Sequence, residues 1–331
     1  MQWYPWLNQP YRKILLRYQK SSGHHALLLH SPIGNGEKSL CYGLSRWLLC
    51  QHPEGIKSCG FCHSCCLMTV GNHPDFYHIT LEKDTQKIGI DQIRVLIDNL
   101  YFRSHQGGVK VILMLDAEQF TEQATNALLK ILEEPPGDTY FLLGCHVPSR
   151  LLPTLKSRCL YWSLPGPNED LGVRWLQKET GFKNVLSACV ALRLSSNAPL
   201  AAEALLQPKR WKERLLFCSE LNIAYTNGDF LSLLPLLEEN KDNKFIYWLL
   251  TFIIDAVKWQ RGDQVTLINI DRLELIATIA TRSSTYLLHA QWRHWQQCLY
   301  QLQTISGLNN KLLLTHYLLN LEKSVVDAKI F

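Results

Sequence analysis

Nowhere in the 331-residue chain do about 18 apolar residues follow one another unbroken, so no stretch reads as a membrane-spanning helix. The opening MQWYPWLNQPYRK also lacks the apolar core of a secretory signal, and the expected location is the cytoplasm, with no membrane partner. Charge excess is scarce: 34 Lys+Arg against 29 Asp+Glu leave +5, which permits a nucleic-acid neighbour but does not argue for a large DNA-gripping surface. The composition of a disordered chain is missing too. At 47% hydrophobic residues, the length supports two or three domains with cores of their own. In a cytoplasmic chain, eleven cysteines are read as metal ligands and buried apolar residues, not as disulfides.

The absence that decides most is a single lysine. The stretch Ala26 to Ser39, ALLLHSPIGNGEKS, reads as a buried strand (Ala26 to His30), a glycine-bearing turn and a helix start, the setting of a phosphate-binding loop. The working pattern G-x-x-x-x-G-K-[ST] needs a Lys directly after the second Gly to reach the β and γ phosphates, and then a hydroxyl for Mg²⁺. With Gly36 as the second Gly, Ser31 takes the first Gly position, Glu37 the Lys and Lys38 the hydroxyl. A carboxylate then faces the triphosphate. One step along a helix turns a side chain by about 100°, so Lys38 does not replace its missing neighbour. Gly34, Gly36 and Lys38 are thus the remains of a nucleotide loop that is expected to stand empty of ATP. A glycine turn that never held phosphate is the alternative.

Ahead of the loop, Trp3, Tyr4 and Trp6 are expected to pack on the first domain before a helix from Tyr11 to Gln19. Behind it, Lys38 to Cys50 has helical apolar spacing at Leu40, Leu44, Trp47 and Leu48, with Trp47 read as core. Cys50, Cys59, Cys62 and Cys65 follow as C-x8-C-x2-C-x2-C in a polar, glycine-containing run. Two C-x2-C turns bring sulfurs about 3.7 Å apart onto one tetrahedral Zn²⁺, so these four are the expected ligands of a structural zinc. Cys66 and His63 lie close enough to compete for the fourth position. Four protein ligands leave no place for a catalytic water.

Asp75 to Thr80 alternates as a short strand, and Asp91 is a candidate N-cap for a helix buried through Ile93, Leu96, Ile97 and Leu100. Gly107-Gly108 turns the chain into VILMLD, a central strand ending at Asp116, where a Mg²⁺-binding carboxylate belongs; the next carboxylate, Glu118, is one step out of register for activating water. The helix TEQATNALLKILEEPP buries Ala124, Ala127, Leu128, Ile131 and Leu132 and stops at Pro135-Pro136; a strand from Tyr140 to Cys145 completes a parallel sheet covered on both faces. Beyond it, Leu151 to Cys159 reads LLPTLKSRC, and a lone Arg there is ordinarily just exposed.

Residue composition shifts at Pro165-Gly166-Pro167. The expected division is an α/β nucleotide-binding-like domain over 1–164 with its cysteine module at 50–66, a small helical lid over 165–207 and an all-helical domain over 208–331. The lid shows apolar spacing at Leu171, Trp175, Leu186, Val190 and Leu194. The third domain breaks near Asn227-Gly228, Lys241-Asp242, Arg261-Gly262 and Gly307. Phe245 to Trp259 and Gln291 to Ile305 are apolar on more than one side, as helices buried against partners would be.

Together, the run NALLKILEEPP with a strand and then SRC after it, the four-cysteine insert behind a phosphate loop and the opening WYPWL resemble the clamp-loader branch of the AAA+ proteins, over essentially the whole chain. The resemblance implies an AAA+ fold and a subunit of the bacterial DNA polymerase III holoenzyme, a DNA-directed DNA polymerase. It also implies motor (gamma/tau) and delta subunits as partners in a five-membered ring, with the third domain as its collar. The sliding clamp would be met indirectly and primed DNA through the complex. Arg158 is then an arginine finger acting in trans on a neighbour's ATP, with Ser157 and Cys159 fixing its loop. Cys145 stands where the motors carry a sensor Thr, and Leu200 where they carry a sensor Arg. These departures imply a non-catalytic member. The competing readings are an active motor ATPase using Lys38 and Ser39 through a shifted loop, and a zinc module that reads nucleic acid directly. The second has little support, since Lys57 is the only Lys or Arg between Cys50 and Cys65.

Overall fold

The computed structural model describes residues 1–20, 23–82, 85, 87–182, 184–238, 242–305 and 307–327. The chain divides into two compact units, Met1–Asn168 and Glu169–Phe331.

The first unit is built on five parallel strands, β1 (Ala26–His30), β2 (Phe76–Ile79), β3 (Lys110–Met114), β4 (Thr139–Cys145) and β5 (Leu160–Ser163), in the order β2-β3-β4-β1-β5. Its helices are α1 (Asn8–Gln19), α2 (Glu37–Leu49), α3 (His63–Val70), α4 (Ile90–Leu100), α5 (Glu122–Glu133) and α6 (Pro153–Ser157). Strands covered on both faces must be apolar at successive positions, and β1 and β3 are buried almost end to end. One face, with Leu28, Ile112, Phe141 and Leu143, packs with Ile93 and Leu96 of α4 and Leu128 and Ile131 of α5. Leu27, Leu29, Val111, Leu113 and Leu142 are buried on the alternate side.

Several boundaries differ from the sequence reading. α4 is capped by Gly89, and Asp91 lies inside the first turn, where its carboxylate meets the positive end of the helix. β3 stops at Met114 instead of Asp116, because the chain turns into a 3₁₀ segment, Ala117–Gln119, with Asp116 at its start. That turn presses on β4: a Cβ on Gly144 would stand 2.7 Å from the Leu115 carbonyl oxygen. Trp47 is half-buried and donates its indole N–H to the Gly55 carbonyl, so it clasps the cysteine loop and is not core.

The second unit is all helical: α7 (Glu169–Thr180), α8 (Val185–Leu194), α9 (Pro199–Leu206), α10 (Pro208–Asn227), α11 (Leu234–Glu238), α12 (Lys244–Gln260), α13 (Leu273–Arg282), α14 (Thr285–Thr304) and α15 (Asn310–Asp327). Trp175 and Val190 are buried, but Leu171 and Leu186 are exposed, against the lid spacing read from sequence. Phe217, Phe245, Trp248, Phe252 and Trp295 centre one large apolar cluster. Arg214 of α10 is fully buried as well; it donates to both oxygens of Asp271 at 2.7 and 2.9 Å and to Asn269 at 3.0 Å. Tyr300 and Ile305 on or beside α14, Tyr247 on α12 and Leu312 on α15 remain exposed. Lys241, half of one expected break, and residues 328–331 of the third expected domain lie outside the described residues. No helix among the described residues is long and apolar enough to cross a membrane.

Candidate functional site

The carboxyl ends of parallel strands open onto the crevice where such sheets place their ligands, and β1 delivers the glycine loop there between β4 and β5. Gly34 and Gly36 take φ of +79° and +87°, left-handed values that a side chain resists, and Gly36 then starts α2. The loop is braced from outside the crevice. Trp6 donates its indole N–H to the Asn35 carbonyl at 2.8 Å, and Tyr4, stacked on Trp6, packs on Gly36. Buried Asn35 donates to the Leu164 and Pro165 carbonyls at 3.0 and 3.1 Å, while Ser39 donates to the Gln2 carbonyl at 2.8 Å.

Glu37 opens α2 with a side chain only 15% exposed. Across from it, His146 follows directly on Cys145 and spans the loop. Its Nδ1–H donates to the Ser31 carbonyl at 2.8 Å, its Nε2 lies 3.9 Å from Glu37 Oε1, and its backbone N–H donates to Glu118 Oε1 at 3.0 Å. The imidazole is thus bonded to the first residue of the loop and faces the first residue of the helix, while its backbone is held by Glu118. The sequence reading missed His146; its one signal was adjacency to Cys145. Lys38 is exposed, and its charge, after burial, helps push His78 below the ordinary histidine range, with Asp116 acting the other way. Burial and then the charge of Glu118 raise the Cys145 thiol to about 11.

The four cysteines meet. Cys50 caps α2 and Cys62 caps α3, and all four sulfurs lie within 4.8 Å of one another. The separations Cys50–Cys59, Cys59–Cys65 and Cys50–Cys62 are 3.5, 3.9 and 4.0 Å, close to the ~3.7 Å edge of a tetrahedron of Zn–S bonds. Backbone N–H groups of Cys59, Cys62 and Cys65 donate to the sulfurs of Cys50, Cys59 and Cys62 at 3.3, 3.4 and 3.4 Å, which favours thiolates. Burial alone would raise the Cys62 thiol, but hydrogen bonds from the backbone of Cys65 and Gln51 and from the neighbouring thiols bring it below the ordinary value, while burial holds Cys50 and Cys65 above it. This donor set can hold a metal ion. His63 and Cys66 are exposed, and Cys66 Sγ reaches only the Phe61 carbonyl, at 3.6 Å. His73 ties the module to β2: its Nε2–H donates to Ser64 at 3.1 Å, and its Nδ1 accepts the Asp75 N–H at 3.1 Å.

Arg158 follows α6, with a side chain 29% exposed. Its Nε donates to Glu133 Oε1 at 2.5 Å, its Nη2 meets the same oxygen, and its Nη1 donates to the Thr154 carbonyl at 3.1 Å. Ser157 donates to the same carbonyl at 2.9 Å, so the loop is pinned by its own helix. Burial raises the half-buried Cys159 thiol to about 12, which marks it as packing and not as a nucleophile. Structure therefore sets three places apart in the first unit: the loop, the thiol cluster and the arginine.

Three family models match in succession: "DNA polymerase III, delta subunit" over residues 8–168, "DNA polymerase III subunit delta', AAA+ ATPase lid domain" over 167–207, and "DNA polymerase III, delta subunit, C terminal" over 208–323. The chain is similar to the DNA polymerase III subunit delta' of Yersinia pestis, at 47% identity over 98% of this chain and 97% of that one. It is 42% identical to the subunit of the same name from Escherichia coli (strain K12), over 97% and 96%. It also resembles the DNA polymerase III subunit tau/gamma of Haemophilus influenzae, at 34% identity over 44% of this chain and 21% of that one.

Proposed function

The chain belongs to the delta' subunits of DNA polymerase III, components of the clamp loader, and from that premise we propose that it works without firing, as a fixed seat that lends one cation to a neighbour's ATP. The observation that carries this reading is Glu37 at the head of α2, in the place of the phosphate-binding lysine, with His146 bonded to the Ser31 carbonyl opposite it. A triphosphate entering there meets a carboxylate where an ammonium is required, beside an imidazole whose N–H is already given to the Ser31 carbonyl. Glu118, Cys145 and Leu200 depart from a motor's needs in the same direction.

In this reading the protein acts in the cytoplasm, within a five-membered ring of motor (gamma/tau) and delta subunits that loads the sliding clamp onto primed DNA. A lid over 165–207 and a collar over 208–331 complete the chain. Arg158 reaches the adjacent motor site and stabilises charge on its γ-phosphate, and a structural Zn²⁺ on Cys50, Cys59, Cys62 and Cys65 staples the excursion at 50–66.

Reconstituted clamp loader carrying Arg158→Ala tests the finger. A finger is worth ~10³-fold or more at the site it serves, so steady-state hydrolysis falls by the share that this site carries, and clamp loading falls with it. Unchanged hydrolysis and loading refute the role. The purified chain alone is expected to show no Mg²⁺-dependent binding of a fluorescent ATP analogue; tight binding that Lys38→Ala removes supports the motor reading instead.

A further inference from the structure

Glu133 is the last residue of α5, where unpaired carbonyls already concentrate negative potential. A carboxylate there works against the helix dipole, and Glu134 at the cap adds a second. Such a placement is unfavourable unless a cation answers it, and Arg158 does.

How the arginine is held matters more than that it is held. A guanidinium has five N–H groups in one plane. Nε and Nη2 each give one to Glu133 Oε1, and Nη1 gives one to the Thr154 carbonyl. One N–H on Nη1 and one on Nη2 remain without a partner among the described residues. Because one oxygen that takes both Nε and Nη2 lies on the side edge, Glu133 leaves uncovered the end-on edge between Nη1 and Nη2, the parallel pair that accepts two oxygens of a phosphoryl group. The helices that carry the two anchors are packed together, because Leu155 of α6 is buried in the same cluster as Leu128, Ile131 and Leu132 of α5, while the Glu133 side chain itself is half-exposed.

We infer that Glu133 is a positioning residue for Arg158, clamping the side edge of the guanidinium so that its end-on fork is presented to a phosphoryl group on the adjacent subunit. This rests on the finger reading of Arg158. Without the carboxylate, the long side chain regains rotamers that the clamp removes, and fewer of them place the fork usefully.

The test uses the complete clamp loader, reconstituted with Arg158→Ala, Glu133→Ala, Glu133→Gln or the Glu133→Ala/Arg158→Ala pair, with hydrolysis followed against ATP concentration. The finger-dependent kcat is expected to fall roughly 10-fold in Glu133→Ala with KM little changed, well inside what an ångström of misplacement costs. Glu133→Gln keeps an acceptor oxygen and recovers most of the rate, and the pair is no slower than Arg158→Ala alone. If Arg158→Ala changes nothing, the finger reading itself fails and this inference goes with it. If Arg158→Ala slows hydrolysis while Glu133→Ala matches wild type, the finger stands and the positioning role is refuted. A faster Glu133→Ala complex overturns the inference by showing a carboxylate that withholds the arginine. Additive losses in the pair, or a lower Tm of the chain with kcat intact, assign Glu133 to the fold alone and overturn it too.

Discussion

His73 shows how one buried ring sets a pH response. It is held neutral: Nδ1 accepts the Asp75 N–H, Nε2–H donates to Ser64, and burial pushes it below the ordinary histidine value, with the Asp75 charge opposing and His63 assisting. At pH above ~6.5 the ring is neutral whether the chain is folded or not, and the bonds contribute fully. As pH falls below that and through the lower folded value, the unfolded chain takes the proton first, so stability is lost on acidification. His78 shifts the same way and adds to the slope. The urea midpoint is therefore expected to drop between pH 7.5 and 5.5, and His73→Gln to drop less; equal slopes would assign the response to other groups. At this scale the sequence was partly legible. The four cysteines and Arg158 stood out because spacing or motif marks them. His146, Asn35 and Glu133 did not, since each acts through a partner far along the chain, and nothing local announces a contact to Ser31, Leu164 or Arg158.

Among the elements, those with strong local signals were readable. β1 runs from Ala26 to His30 as its apolar run indicated, and α5 starts where Thr121 accepts the Ala124 N–H. Ends governed by tertiary packing were not: Gly89 and not Asp91 caps α4, and the close approach of Leu115 to Gly144 cuts β3 short. The cysteine module is the least self-sufficient element. Its apolar cluster consists of Cys50, Cys62 and Cys65 with Cys59 packed against them, too small a core to hold a loop unaided. A metal held by the four sulfurs would contribute its binding free energy to the folding of that segment. On the proposed reading, chelation at neutral pH is expected to expose amides 50–71 to hydrogen exchange while β1, β3 and β4 stay protected. Unchanged exchange across the module after complete metal removal would contradict this.

For the molecule as a whole, the departures that the proposed reading rests on lie on different elements of the first unit: Glu37 on α2, Glu118 beyond β3 and Cys145 at the end of β4, next to His146. Repairing one does little for the others. Glu37→Lys with Lys38→Thr restores the Lys and the hydroxyl of the loop motif while Ser31 still stands at its first Gly, and the purified double variant is expected to hydrolyse ATP no faster than wild type, because no base or sensor accompanies the new ammonium. Sustained phosphate release by that variant would show that the loop alone was limiting.

The placing of His146 has a mechanical corollary. Its ring N–H grips the carbonyl that ends the run out of β1, and its own backbone N–H is gripped by a carboxylate from the turn beyond β3. Three chain crossings at one edge of the sheet are therefore laced through a single residue, and a shift of any one of them is felt by the other two.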